Sequence, residues 1–139
     1  MKSNFSIIDN YALETAGRHI DLHNNFDFVG FEYNVADKEI KLHWIKSEGA
    51  WVDKNECSSL VLTHTGVTFF RVFEQDEENT YEDDCCLGEI TFFPSDAREI
   101  NDSIIQQPEP NDGDDVIYRF ENGRVIRIHC DQIDLGIML

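Results

Sequence analysis

From Phe26 to Ile45 the chain alternates apolar and polar residues on both sides of a short break at Ala36–Asp37. Centring a turn on that break pairs Tyr33 with Ile40, Phe31 with Leu42 and Val29 with Trp44, six apolar side chains on one face. The other face then pairs Glu32 with Lys41 and Asn34 with Glu39, with Gly30 opposite His43. A one-residue slip would send every side chain to the wrong face, so the register is tightly specified. Ala-Asp is a poor type I′ pair, and the same register is kept by a four-residue loop around a type I turn. The hairpin predicts that Val29, Phe31, Tyr33, Ile40, Leu42 and Trp44 are buried and that Glu32 and Lys41 are not.

The stretch Ser59–Glu74, SLVLTHTGVTFFRVFE, is rich in β-branched and aromatic residues and is cut in two by Thr65–Gly66. It predicts two strands joined as a hairpin, with Leu62 facing Phe69 and Val61 facing Phe70 if the loop has two residues. A third hairpin spans Val116–Cys130 around Asn122–Gly123. A three-residue loop, Glu121–Gly123, pairs Tyr118 with Ile126 and Val116 with Ile128, and so sorts core from surface. It implies a type I turn closed by a bulge, with Gly123 at positive φ. Cys86–Phe93, ended by Pro94, and Gln132–Leu139 read as further strands.

The remaining segments are less regular. Ile7, Ile8, Tyr11 and Ala12 fit a short helical stripe that Gly17 breaks, followed by a short strand with Ile20 and Leu22 on one face. Lys46–Ser58 reads as a loop. In Ser95–Gln107, Asp96 precedes Glu99 at capping-box spacing and Ile100 lies four residues before Ile104, which predicts one short helix over roughly 96–107. Glu109–Asp115, EPNDGDD, reads as a loop. The pattern as a whole describes a single mainly-β domain, residues 1–139. We expect an antiparallel β-sandwich or open barrel of about seven to nine strands with that one helix.

Charge changes this picture more than composition does. The net charge is −17, and residues 73–115 hold 15 carboxylates against Arg98 alone, so −14 of it lies in one segment. Such a field disfavours nucleic acid and anionic membrane and steers basic partners inward. No apolar run reaches membrane-spanning length and the first residues carry no secretion-signal core, so the expected location is cytoplasmic. Cys57, Cys85, Cys86 and Cys130 show no CxxC spacing and read as reduced thiols.

Motifs for chemistry are absent from the sequence. It holds no GxSxG, HExxH or glycine-rich phosphate loop, so no catalytic residue is assigned. Cys57 or Cys130 beside a spatially adjacent histidine is the remaining nucleophile arrangement. His129 and Cys130 point to opposite faces of a strand, no close ligand pair announces zinc, and no metal or cofactor is predicted. Asn111–Asp115 resembles a calcium loop superficially but lacks the spaced ligands and closing Glu of an EF-hand.

The acidic run with its single aromatic, together with Trp51 in a polar loop, has the composition of a protein-recognition surface. The residues assigned to it are Trp51, Glu74, Asp76, Glu77, Glu78, Tyr81, Glu82, Asp83 and Asp84. With segments such as GRHIDLHNNFDFVGFEY and LVLTHTGVTFFRV, its size and its acidity, the chain resembles small acidic bacterial proteins of the polymorphic-toxin immunity type. That resemblance implies a non-enzymatic, stoichiometric inhibitor holding a basic partner protein through an acidic face. The sequence does not choose between a monomer and a dimer. The alternative is a small-molecule- or metal-binding β-domain, or an enzyme of unassigned reaction.

Overall fold

The computed structural model describes residues 1–74 and 84–139. Twelve strands occur among them: β1 (Lys2–Ser3), β2 (Ser6–Ile8), β3 (Ala12–Thr15), β4 (Arg18–Asp21), β5 (Phe26–Asn34), β6 (Glu39–Lys46), β7 (Ser59–Thr65), β8 (Phe69–Phe73), β9 (Leu87–Pro94), β10 (Asp114–Phe120), β11 (Val125–His129) and β12 (Gln132–Met138). They form a five-stranded sheet β1-β12-β7-β6-β5, a four-stranded sheet β8-β11-β10-β9 and a three-stranded sheet β2-β3-β4. All neighbours are antiparallel except β1 and β12. The fold is mainly β and sandwich-like, with no closed barrel.

The core lies between the two larger sheets. Ile40, Leu42, Trp44, Leu60, Leu62 and Ile133 on one side meet Ile90, Phe92, Val116, Tyr118, Ile126 and Ile128 on the other, all essentially inaccessible. The three-stranded sheet adds Ile7, Leu13 and Ile20 to the same cluster. Its turns depend on left-handed backbone, with positive φ at Asp9 and Asn10 and again at Ala16 and Gly17. Positive φ at both central positions is the geometry of type I′ hairpins, and Asn and Gly reach it at little cost. The helical stripe expected for Ile7–Ala12 is therefore a hairpin, and only Ile7 and Ala12 of its four residues are fully buried.

Two hairpins form in the predicted registers. β10 pairs with β11 through Val116–Ile128 and Tyr118–Ile126, and Gly123 has φ 92°. β5 pairs with β6 through Tyr33–Ile40, Phe31–Leu42, Glu32–Lys41 and Asn34–Glu39, leaving a four-residue loop. The register breaks between Phe28 and Gly30, so Trp44 faces Phe28 and Val29 is bulged out of the ladder. Ile40, Leu42 and Trp44 are buried as expected, but Val29, Phe31 and Tyr33 are 55%, 44% and 38% exposed. The reason is position: β5 is the last strand of its sheet. Phe31 and Tyr33 still point inward, each meeting the Phe70 ring of the opposite sheet at 5.4 Å, but nothing described lies beyond them.

Ser59–Glu74 is not a hairpin. β7 sits between β6 and β12, while β8 crosses to the other sheet and pairs with β11. Leu62 therefore faces Leu42 and Leu135, and Phe69 faces His129. Gly66, at φ 69°, makes the corner, and a Cβ there would collide with the Asp131 carboxylate. The predicted helix is also absent. Ser95–Ala97 makes one 3-10 turn without a side-chain cap, and Ile100 and Ile104 are exposed. What holds the rest of that segment is polar.

Candidate functional site

The 95–107 segment runs as a strap over the outer face of the four-stranded sheet, and side chains of that sheet and of the β2–β3 turn satisfy its backbone. Arg127 donates from Nη1 to the Ile100 carbonyl at 2.8 Å and from Nη2 to the Pro94 carbonyl at 2.9 Å. Thr91 Oγ1 accepts from the Ile105 N–H, and Asn10 Nδ2 donates to the Ile105 carbonyl. These partners replace the intrahelical bonds that a helix would have made.

At the centre is Asp115, fully buried. Arg98 reaches it from the strap with Nε at 3.0 Å and Nη2 at 3.1 Å, Arg127 with Nε at 2.7 Å, and His129 with Nδ1 at 2.8 Å. Burial alone would raise the Asp115 pKa, but these three donors and the Arg98 charge outweigh it and hold the carboxyl below its ordinary value. The Arg98 guanidinium also lies 3.7 Å above the Phe69 ring. The group is a fully partnered anchor, because each carboxylate oxygen is already taken by protein donors. Asp114 is likewise occupied, by Gln107 Nε2 and the Asn111 N–H, so the resemblance of Asn111–Asp115 to a calcium loop ends in internal hydrogen bonds.

His64 occupies the seam between the sheets. Nδ1 lies 3.0 Å from the Ile40 carbonyl, which can only accept, so Nδ1 carries the proton and Nε2 accepts from the Tyr118 hydroxyl at 2.7 Å. Burial pushes its pKa down to about 4, and the imidazole is neutral. His64 is on β7 opposite Ile40, whereas His43 is on β6 opposite Val61, on the other face of the sheet, so the two share no site. The thiol reading also weakens. Burial, with Glu56 beside it, raises the Cys57 pKa, and burial pushes Cys130 up to about 12, so neither is a ready thiolate.

Of the residues assigned to a recognition surface, Asp76, Glu77, Glu78, Tyr81, Glu82 and Asp83 lie outside the described residues. Glu74 and Asp84 come together on Arg124, at 3.3 and 4.0 Å, and Asp84 also accepts from Asn122. Trp51 is 69% exposed and its Nε1 donates to the Asn24 carbonyl at 2.7 Å. The partners of Trp51 and those of Glu74 and Asp84 are different residues, Asn24 in the first case and Arg124 and Asn122 in the second.

Two features were missed in the sequence. The first is the open side of β5. Phe28 N–H donates to the Cys85 carbonyl, but from Gly30 to Asn34 no described strand pairs with the outer edge. A depression of about 450 Å³ joins Val29, Gly30 and Phe31 to Asp84 and Cys85, where the acidic segment returns to the sheet. The second is a trio, His23, Cys86 and Glu121, each offering one ligand atom within 4.8 Å of the others. Their separations in sequence hide them, because each comes from a different loop or strand end. Comparison with family models, with curated proteins and with solved structures gave no match. No helix among the described residues is long and apolar enough to cross a membrane.

Proposed function

We propose that this chain is a protein-binding domain that holds a basic partner, in the manner of a stoichiometric inhibitor, by taking an extended segment of that partner along the open edge of β5. The observation that carries this reading is the edge itself. Unpaired backbone N–H and C=O groups on a strand with exposed apolar side chains are a template for another strand, and natural proteins guard such edges unless they use them. Among the described residues, the Val29 bulge and the Cys85 carbonyl guard the first half of that edge and nothing pairs with the second. Beyond them, Phe31 and Tyr33 offer apolar area, Glu32 projects with its side chain 74% exposed, and Asp84 borders the entrance. In a chain of net charge −17, the complementary occupant is a strand carrying Lys or Arg between apolar residues. The acidic run leading into Asp84 would steer such a partner inward.

The test is affinity capture from the source cell with the wild type and with the double variant Val29→Lys/Val35→Lys, at low and high salt. A basic protein should be retained by the wild type, released by salt and lost in the variant. The β5 amides 30–34 should become protected from hydrogen exchange in the complex. Retention that is indifferent both to salt and to the variant would remove the reading.

A further inference from the structure

We propose that His23, Cys86 and Glu121 form a binding site for a divalent cation of the zinc class. The three residues lie 63 and 35 positions apart in the chain, yet hydrogen bonds to the Cys86 and Leu87 carbonyls bring them together. The Glu121 N–H donates to the Cys86 carbonyl at 2.9 Å, so the tip of the β10–β11 hairpin is pinned to the entry of β9. His23 Nδ1 lies 2.5 Å from the carbonyl of Leu87, the residue after Cys86. A carbonyl only accepts, so Nδ1 holds the imidazole proton and Nε2 the lone pair. Nδ1 is also the nitrogen that lies 3.8 Å from Glu121 Oε1, so metal binding requires the ring to turn and present Nε2, or the proton to pass to Nε2.

Gly88 lies beside the group: a Cβ there would stand 3.4 Å from Glu121 Oε1, in ordinary contact, and 3.2 Å from the Arg119 carbonyl. The donor set among the described residues is one nitrogen, one sulfur and one oxygen. Thiolate and imidazole together select Zn²⁺ or Co²⁺ over Mg²⁺ and Ca²⁺, which take oxygen ligands. Tetrahedral zinc holds such ligands roughly 3.3–3.8 Å apart, so the 4.8 Å trio must close by about 1 Å. Glu121 is exposed and His23 half-buried, and side-chain rotation at these two supplies that movement. The negative field of the chain raises the local cation concentration.

Titration of the reduced full chain with Co²⁺, followed by the near-ultraviolet thiolate-to-metal charge-transfer band, tests the site. The expected result is one Co²⁺ per chain, displaced by Zn²⁺ and not by Ca²⁺ or Mg²⁺. The band should be lost in Cys86→Ser and kept in Cys85→Ser. His23→Ala and Glu121→Gln should each weaken binding about tenfold or more. Binding should also fade as pH falls, because protons compete for the imidazole and the thiolate. Urea unfolding of each variant checks its fold, and Glu121→Gln, at an exposed turn, carries the test if Cys86→Ser does not fold. Absence of a band, or binding unchanged by both Cys86→Ser and Glu121→Gln, overturns the assignment.

Discussion

The two large sheets share one core but treat their outer faces in opposite ways. The four-stranded sheet is closed by the 95–107 strap, and the closure is polar: Asp115 and Arg127, both with no side-chain exposure, join strap to sheet. The five-stranded sheet has no such cover among the described residues. Ile45 and Met138 stand 47% and 64% exposed on its outer face, and β5 keeps an open edge. Buried ionic groups contribute less net stability than apolar packing of the same volume, but they tolerate no partner being removed. The strap should therefore be rigid in its requirements, and the open face permissive.

The sharpest way to break this comparison is Asp115→Ala. It leaves Arg127 buried with its main counter-charge gone, and we expect a loss of about 3–5 kcal/mol in urea unfolding. A loss under about 1 kcal/mol would mean that the strap is not anchored there. The pH dependence has a definite sign. The folded Asp115 pKa lies below the unfolded value of 3.8, so its contribution is fully present above that value. It is lost as pH falls through the lower, folded pKa.

His64 tests the seam between the sheets in a separate pH window. Its folded pKa of about 4 lies below the ordinary 6.5, so the unfolded chain binds the proton first. Stability should fall as pH drops from about 6.5 toward 4, by on the order of 3 kcal/mol at most. His64→Gln should flatten that slope while leaving the Asp115 transition below pH 3.8 in place. An unchanged slope would show that the seam histidine does not govern it.

Gly123→Val comes next in size. At φ 92° a β-branched residue is strained, and a loss of about 1–3 kcal/mol is expected in thermal or urea unfolding. The hairpin it closes was legible in the sequence for the same reason that it is stable. Alternation and turn chemistry agree within 15 residues, from Val116 to Cys130. The half of the β5–β6 register from Gly30–His43 to Asn34–Glu39 was legible in the same way, whereas the bulge at Val29, which sets Phe28 and not Val29 opposite Trp44, was not. Ser59–Phe73 was not, because Gly66 looks like a turn locally while the partners of β7 and β8 lie in different sheets. Nor does alternation reveal that β5 is an edge, which is why Phe31 and Tyr33 point inward yet stay exposed. The strap showed a capping-box spacing, but Arg127, Thr91 and Asn10 offered its backbone better partners than a helix would. Asp115 was hidden among 28 carboxylates. One signal was present: extending the Val116–Ile128 register by one pair sets Asp115 opposite His129, on the face that carries Arg127.

The smallest effect belongs to the open face, and its smallness is the point. Ile45→Lys places a charge where the present side chain is already 47% exposed, on a strand whose opposite face holds Leu42 and Trp44 in the core. Little apolar area is withdrawn from packing, and lysine can lay its stem along the sheet while its ammonium stays in water. Surface changes of this kind stay within about 0.5 kcal/mol. The same substitution on the strapped face would displace Arg127 or Asp115 and cost several times as much. Urea midpoints of Ile45→Lys and Asp115→Ala, measured side by side, therefore read the comparison directly. A loss of about 2 kcal/mol or more for Ile45→Lys would mean that something packs over this face after all. The asymmetry between the two sheets would then disappear, and with it the physical reason for looking to the open side for a partner.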